Sequence, residues 1–180
     1  NANPTTNEVN VYANSMQRCI ATANYFKTAL FPVGDVKVNH RFVPRKMDPV
    51  FFPRLTKTSK SFKAQALKEI AAMGGKKGIV GINEDLKECY EITAKVLDLK
   101  NSPACKQDNL CAFDNYNTQI ILEKGDEPRM KGSLKDANTC SDALILQYYE
   151  EPDAKKAAFG HNITLTDWTK IAKIKYVYGD

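Results

Sequence analysis

Hydrophobic residues recur at helical spacing through the first thirty positions of the chain. They follow one another at steps of three and four residues, at Val9, Tyr12, Met16, Cys19, Ala23, Phe26 and Leu30. This spacing places them on one face of an α-helix. Thr5 and Glu8 have the spacing of a capping box, and Pro32 and Gly34 follow the pattern. The pattern predicts one long amphipathic helix over about residues 5–30.

Two further helices are predicted before residue 100. Ser59 or Ser61 can cap a helix that runs through Met73, and Gly74 with Gly75 would end it. Asn83 can cap a third helix. The apolar face of that helix would comprise Leu86, Cys89, Tyr90, Thr93, Val96 and Leu97.

After Cys111 the pattern becomes typical of strands. Residues 118–123 and 130–134 flank a turn at 125–128 and predict a hairpin. The apolar run 143–149 predicts a central strand. Apolar and polar residues alternate in 163–165 and again in 172–178, which predicts half-buried strands.

These elements predict a segregated α+β fold. The long N-terminal helix and two further helices would pack on a C-terminal antiparallel sheet of about 4–5 strands. At 180 residues, the chain is expected to form a single domain over 1–180, helix-rich in 5–100 and strand-rich in 112–180.

The cysteines suggest one local disulfide. Cys105 and Cys111 bracket five residues, a spacing that lets their Cα atoms come within bridging range. Cys19 and Cys89 lie on the apolar faces of predicted helices, where they could pair with each other or stay buried thiols. Cys140 would then be left over, or would itself pair with Cys19 or Cys89. The closed loop would present Lys106, Gln107, Asp108, Asn109 and Leu110.

A structural disulfide indicates an oxidising compartment. The chain also begins at Asn1 without Met, as after removal of a leader, and Asn162-Ile-Thr164 has the form of a glycosylation site. The protein is therefore expected to be secreted, periplasmic or on the cell surface.

Positive charge is concentrated in residues 37–77, with eleven Lys or Arg against two acidic residues, net +9 in a chain of net +5. Phenylalanines interleave the charges, as in surfaces that bind polyanions such as nucleic acid, glycan or anionic lipid. The lysines of the second helix could equally form a solvated face. The basic patch would comprise Arg41, Arg45, Lys46, Arg54, Lys57, Lys60 and Lys63.

The sequence shows no catalytic constellation. It has no G-x-S-x-G motif, and its two histidines, His40 and His161, are each expected to be exposed. No spacing of ligands predicts a metal site or a cofactor. The run 74–78 is rich in glycine and lysine but fails the spacing of a phosphate-binding loop. These observations predict a protein that is not an enzyme.

The long helix, the following sheet and the cysteine-closed loop together resemble the periplasmic part of a type IV pilin. The run 140–148 is similar to a strand of some minor pilins. This resemblance implies a subunit of a surface filament and carries no site residues. The closed loop also resembles the loop that periplasmic enzyme inhibitors present to an active site.

We therefore expect an exported, non-enzymatic protein–protein interaction domain, either an assembly subunit or an inhibitor-like or adhesin-like binder. Its contact elements would be the loop 105–111 and the N-terminal helix. The alternatives are a polyanion binder that uses residues 37–77 and a pilin-like subunit.

Overall fold

The computed structural model describes residues 3–41, 48–55, 58–153 and 155–179. It divides into an N-terminal unit (Asn1–Thr56 with Gly125–Glu127) and a helical unit (Lys57–Lys124 with Pro128–Asp180). In chain order the elements are β1 (Val11–Tyr12), α1 (Gln17–Leu30), β2 (Val38–Asn39), α2 (Lys60–Ala72), α3 (Ile79–Asp85), α4 (Lys87–Val96), α5 (Pro103–Asp108), β3 (Gln119–Ile121), β4 (Arg129–Lys131), α6 (Ser133–Glu150) and α7 (Leu165–Gly179).

The N-terminal unit contains a βαβ motif. Strands β1 and β2 pair in parallel, with Val11 opposite Val38 and Tyr12 opposite Asn39, and α1 forms the connection between them. The segment 125–127 joins this unit through backbone hydrogen bonds of 2.8 Å between Leu55 and both Gly125 and Asp126. Parallel pairing of neighbouring strands requires such a crossover, which here is the helix.

The predicted long N-terminal helix is wrong in its first half. Helix α1 begins at Gln17, and Tyr12 lies in a strand rather than on a helical face. The Thr5 backbone N–H donates to Glu8 Oε2 at 3.0 Å, as in a capping box, but the bond closes only a turn. Pairing of Tyr12 with Asn39 satisfies backbone groups that a continuous helix would have used.

The helical unit is built around α4, α6 and α7, which pack against one another. One apolar cluster includes Leu86, Tyr90 and Phe113, and a second is formed around Leu144 and Ile171. These side chains are at most 3% exposed, so the packing is that of a protein interior.

The second predicted helix agrees with the structure, whereas the third is divided in two. Ser59 caps α2 by accepting a hydrogen bond of 3.0 Å from the Phe62 N–H. Asn83 lies inside α3 rather than at a cap, and the helical path breaks at Leu86. The fully buried Asn83 side chain accepts from the Tyr90 hydroxyl at 2.8 Å. This tertiary bond uses the oxygen that a cap would have needed.

The predicted antiparallel sheet of 4–5 strands is wrong, and so is the α+β fold class. Strands β3 and β4 do form an antiparallel hairpin, with Ile120 opposite Met130, but each is only three residues long. Residues 143–149 belong to α6 and residues 172–178 to α7. The described residues otherwise contain the β1–β2 pair and an isolated parallel bridge between Thr5 and Asp35, so the architecture is mainly helical.

The burial pattern explains the error. In α6 the buried apolar positions are Leu134, Ala137 and Leu144, with Ser141 between the last two, at steps of three and four residues. In α7 the buried residues are Ile171 and Ile174, three residues apart. The strand prediction for residues 172–178 treated exposed side chains as buried, for example Tyr176, which is 71% exposed. The buried side chains of α6 and α7 therefore follow the helical period and not the period of a strand.

Side chains of a neighbouring segment cap α6. The Ser133 N–H donates to Asn117 Oδ1 at 3.0 Å, and the Leu134 N–H donates to Thr118 Oγ1 at 3.2 Å. Gly132, just before the helix, has a φ of +89°. These bonds satisfy donors that would otherwise be orphaned at the helix start.

Candidate functional site

A network of buried polar groups precedes α1 in the N-terminal unit. Asn14 and Ser15 are at most 7% exposed, and Asp48 is fully buried. The Tyr12 hydroxyl donates to Asp48 Oδ2, and the Asp48 backbone N–H donates to Asn14 Oδ1 at 3.3 Å. The other carboxylate oxygen of Asp48 accepts from the Val50 N–H at 2.9 Å. These bonds hold the segment that leads into the helix.

The network shifts the pKa values of both partners. The hydrogen bond from Tyr12 lowers the pKa of Asp48, and the bond from the Val50 N–H and the charge of Arg41 act in the same direction. The bond to Asp48 raises the pKa of Tyr12, and burial and the Asp48 charge raise it further. Asp48 is therefore a carboxylate and Tyr12 a neutral phenol at neutral pH.

The start of α1 is suited to an anion. Its N-cap residue, Met16, provides no side-chain hydrogen bond, and the first turn contains no acidic residue. The second residue of the helix is Arg18, which is exposed. A cation at this end of a helix opposes the macrodipole, so Arg18 does not stabilise the helix by itself. The N-terminus of a helix together with a guanidinium forms a site that an oxyanion would neutralise.

Sequence reasoning missed this site. It assigned Tyr12 and Met16 to a helical seam and counted Asp48 only as one of two acids in the basic segment. The sequence does contain one signal for the site. Asn14 and Ser15 are residue types that favour the start of a helix, and the cationic Arg18 follows Ser15 by three residues. The contact that supports the site, between Tyr12 and Asp48, joins residues 36 positions apart.

The helical unit has a cavity of about 630 Å³ between α4 and residues 111–116. Tyr90, Phe113 and Leu99 contribute apolar surface to it. Three lysines and three acidic residues line it, so their formal charges cancel; they are Lys87, Lys95, Lys100, Glu91, Asp98 and Asp114. This balance gives the cavity no overall preference for an anion, in contrast with the start of α1.

The structure forms the Cys105–Cys111 disulfide, but the enclosed segment is mostly helical rather than an open loop. Residues up to Asp108 belong to α5, and Asn109 ends the helix with a φ of 58°. Lys106, Gln107, Asp108 and Asn109 are exposed and Leu110 is half-buried. Their predicted binding role remains a prediction.

The possible second bridge between Cys19 and Cys89 is not formed, and neither is the alternative pairing of Cys140 with one of them. Both residues are free thiols, as is Cys140. Cys89 is 4% exposed and belongs to the apolar core of the helical unit, where burial raises the pKa of its thiol. It acts there as a small hydrophobic residue.

The basic patch is described only in part. Arg45, Lys46 and Lys57 lie outside the described residues. Arg41 and Arg54 belong to the N-terminal unit, whereas Lys60 and Lys63 lie on α2 of the helical unit. Among the members of the patch that the structure describes, Arg41 is linked to the polar network described above, through its charge on Tyr12 and Asp48.

Two further observations bear on the class of protein. Across the described ranges, no group of three or more histidine, cysteine or acidic side chains is arranged to hold a metal ion. None of the helices formed by the described residues combines the length and apolar character that crossing a membrane requires.

Curated relatives match almost the whole chain. The chain is 42% identical over 177 residues to a glucose-1-phosphatase of Providencia rettgeri, which covers 97% of this chain and 40% of the relative. A glucose-1-phosphatase of Salmonella typhimurium is 33% identical over 98% of this chain and 41% of its own length. The chain thus spans about two fifths of the length of these relatives. No family model matches the chain.

Solved structures show a shared fold. The apo form of Hafnia alvei phytase has a TM-score of 0.73 at 24% identity, over 97% of this chain and 42% of that chain. The phytase of Citrobacter braakii has a TM-score of 0.70 at 17% identity, over 97% of this chain and 42% of that chain. At these identities the likeness is one of fold.

The comparisons overturn the functional predictions. The prediction of a non-enzymatic domain that acts mainly through a protein partner is wrong. The relatives that match nearly the whole chain are named as enzymes that act on a small phosphate ester. The polyanion-binder and pilin-like alternatives are likewise unsupported, and the phytase fold replaces the pilin resemblance. An extracytoplasmic location agrees with the disulfide and with the bacterial relatives. The chain is thus similar, over nearly all its residues, to part of bacterial glucose-1-phosphatases.

Proposed function

We propose that this chain is part of a phosphatase that hydrolyses a sugar phosphate monoester, with glucose 1-phosphate as the first candidate substrate. The observation that carries the proposal is the 42% identity to a named glucose-1-phosphatase over 97% of the chain. The likeness to phytases supports the fold and does not extend to their substrate.

The start of α1 is the element through which this chain would contribute to the reaction. Its N–H groups and the Arg18 guanidinium would bind the non-bridging oxygens of the phosphate. Charge on these oxygens must be stabilised as the phosphoryl group is transferred, and fixed donors achieve this without reorganising.

The buried network would position these donors. Asn14 and Ser15 lie directly before the helix, and the bond between Asn14 and Asp48 fixes the entering chain. Tyr12 and Asp48 are positioning residues, because the Asp48 carboxylate is buried and engaged by Tyr12 and Val50. Arg18 is the exposed group of this set that could touch substrate.

The test is hydrolysis of glucose 1-phosphate by the protein as encoded by its gene, with Arg18→Ala as the variant. Loss of one such donor should lower kcat/KM by about 10²–10³-fold. Lys27→Ala is the matched control, since Lys27 is a basic residue in the last turn of the same helix. A wild-type protein without phosphatase activity would refute the function. An Arg18→Ala variant as active as Lys27→Ala would refute only the assigned site.

We further propose that the protein is periplasmic. The disulfide supports this, because such bonds persist in the bacterial periplasm and are rare in the cytosol. Fractionation of the native host, with thiol alkylation before lysis, tests it. Recovery in the cytosolic fraction with Cys105 and Cys111 both alkylated would exclude it.

A further inference from the structure

The cavity of the helical unit is enclosed by one continuous stretch of chain. All of its lining residues fall between positions 87 and 116, and the structure describes every residue of that stretch. Helix α4 forms one wall, and residues 111–116 form another. The cavity is therefore a product of local packing within the helical unit.

The floor of the cavity is apolar and aromatic. Tyr90, Leu99 and Phe113 are at most 5% exposed, and the Tyr90 and Phe113 rings pack with a centroid distance of 6.0 Å. The Tyr90 hydroxyl donates to Asn83 Oδ1, so its proton is already engaged. A volume of about 630 Å³ above such a floor is in the range of pockets that hold small molecules. A ligand would therefore contact the floor through an apolar or aromatic group.

The wall that follows the disulfide is fixed at both ends. Cys111 is bonded to Cys105, and the Asn117 N–H, directly after the wall, donates to Ser133 Oγ at 3.1 Å. Within the wall, Tyr116 lines the cavity with a φ of 47°, in the left-handed region that a tyrosine rarely adopts. Such strain persists only where the surrounding structure holds it, and it concentrates at ligand sites. A preorganised wall lowers the ordering cost of binding.

Most of the charged side chains around the cavity already have partners. Lys87 Nζ lies 4.0 Å from Glu91 Oε1, and the Asp98 carboxylate accepts a side-chain amide hydrogen bond of 2.8 Å. The charge of Lys95 acts on Asp167, which does not line the cavity. These groups are therefore less available to a ligand.

Lys100 and Asp114 differ from the other charged lining residues. Among the described residues, their side chains form neither an ion pair nor a hydrogen bond, although both line the cavity. The cavity thus offers one ammonium and one carboxylate beside an apolar floor. A ligand that matches all three features carries a carboxylate, an ammonium group and an apolar body.

We propose that this cavity binds a small zwitterion with an apolar body, namely an amino acid with an aromatic side chain. In the complex, Asp114 accepts from the ligand ammonium, Lys100 donates to the ligand carboxylate, and the ligand ring packs on Tyr90 and Phe113. The site belongs to the helical unit, whereas the candidate phosphate site belongs to the N-terminal unit. The proposal therefore goes beyond the proposed function and does not require phosphatase activity.

The test is binding of L-phenylalanine to the protein as encoded by its gene, measured by ligand-observed NMR titration. Two matched probes each lack one charge. Hydrocinnamate is phenylalanine without the ammonium group, and phenethylamine is phenylalanine without the carboxylate. We expect each to bind about fivefold more weakly than L-phenylalanine, as for the loss of one exposed ion pair.

Charge variants assign each ligand group to its partner. Lys100→Ala should weaken binding of L-phenylalanine and hydrocinnamate about fivefold and leave phenethylamine unchanged. Asp114→Asn should weaken binding of L-phenylalanine and phenethylamine and leave hydrocinnamate unchanged. Lys68→Ala and Asp108→Asn are the controls, because both side chains are exposed and neither lines the cavity.

Filling the cavity tests the location independently. Ala94 lines the cavity from α4, so Ala94→Trp should abolish binding of all three probes. Circular dichroism equal to that of the wild type would show that this variant folds. Inorganic phosphate and the Arg18→Ala change should leave the binding of L-phenylalanine unaltered, because the candidate phosphate site lies in the other unit.

Several outcomes would overturn the proposal. They are the absence of saturable L-phenylalanine binding, equal affinities for the three probes, and charge variants that bind like their controls. Competition by inorganic phosphate would overturn it as well, since it would place the ligand at the start of α1. The expected binding pattern in a protein without phosphatase activity would support the cavity site and count against the proposed function only.

Discussion

Tyr12 donates a hydrogen bond to the buried carboxylate of Asp48, and Phe51 stacks on the Tyr12 ring with a centroid distance of 6.0 Å. The bond ties the end of β1 to a segment 36 residues further along the chain. It therefore fixes the approach to α1, where the candidate anion site lies.

The Tyr12–Asp48 bond should make stability depend on pH at both extremes. The pKa of Asp48 is lowered below its ordinary value of 3.8. Its contribution to the free energy of unfolding is therefore fully present above pH 3.8 and is lost as the pH falls through the lowered pKa. The pKa of Tyr12 is raised above its ordinary value of 10.0, so its contribution is present below pH 10 and is lost as pH rises through the raised pKa. Tyr12→Phe should lower the unfolding temperature at pH 7.

Thermal unfolding followed from pH 2 to pH 11 measures this dependence. In Tyr12→Phe the loss of stability at high pH should be smaller than in the wild type, while the stacking on Phe51 is retained. Tyr25→Phe is the control, because Tyr25 is 79% exposed. Identical pH profiles for the wild type and Tyr12→Phe would contradict the assigned coupling.

The disulfide should contribute about 2 kcal/mol to the free energy of unfolding, as expected for a closed loop of this short length. The double variant Cys105→Ser, Cys111→Ser should lose about that amount in urea unfolding. Reductant should destabilise the wild type equally and leave the double variant unchanged. Cys140→Ser should respond to reductant like the wild type, since Cys140 is a free thiol. A wild type insensitive to reductant would contradict the prediction.

Gly81 allows a close approach of two backbone segments in the helical unit. A Cβ atom at Gly81 would lie 2.1 Å from the Gly74 carbonyl oxygen, and one at Gly74 would lie 1.7 Å from the Gly78 carbonyl oxygen. Gly81→Ala should therefore destabilise the protein by about 1–3 kcal/mol through overpacking.

Gly179→Ala is the matched control, because nothing lies within 4 Å of a Cβ at that position and its φ is not positive. Its effect should stay within about 0.5 kcal/mol. Urea unfolding of the two variants measures the difference. Equal stabilities would show that the segments around Gly74 and Gly81 separate at little cost.

Local features of the sequence predicted local features of the structure. Ser59 caps α2 and the hairpin around residues 125–128 joins β3 and β4, because a cap or a turn depends on a few neighbouring residues. The Cys105–Cys111 pairing is of the same kind, since six positions separate the partners.

Secondary structure that depends on contacts between distant residues could not be predicted in this way. Residues 143–149 and 172–178 are compatible with either period, and their helical state follows from packing of α6 on α7. A bond of 2.6 Å from Ser141 Oγ to the Ile171 carbonyl oxygen fixes that contact. Likewise the start of α1 depends on the pairing of Tyr12 with Asn39.

The sequence by itself determined the capped helix after Ser59, the hairpin and the short cysteine-closed segment, each within a few residues of chain. Only the tertiary structure decided that the C-terminal third is helical and that Arg18 stands at the start of a helix supported by Asp48. The physical reason is that an apolar residue can satisfy several periodicities, and the choice among them is made by the partner surface that buries it.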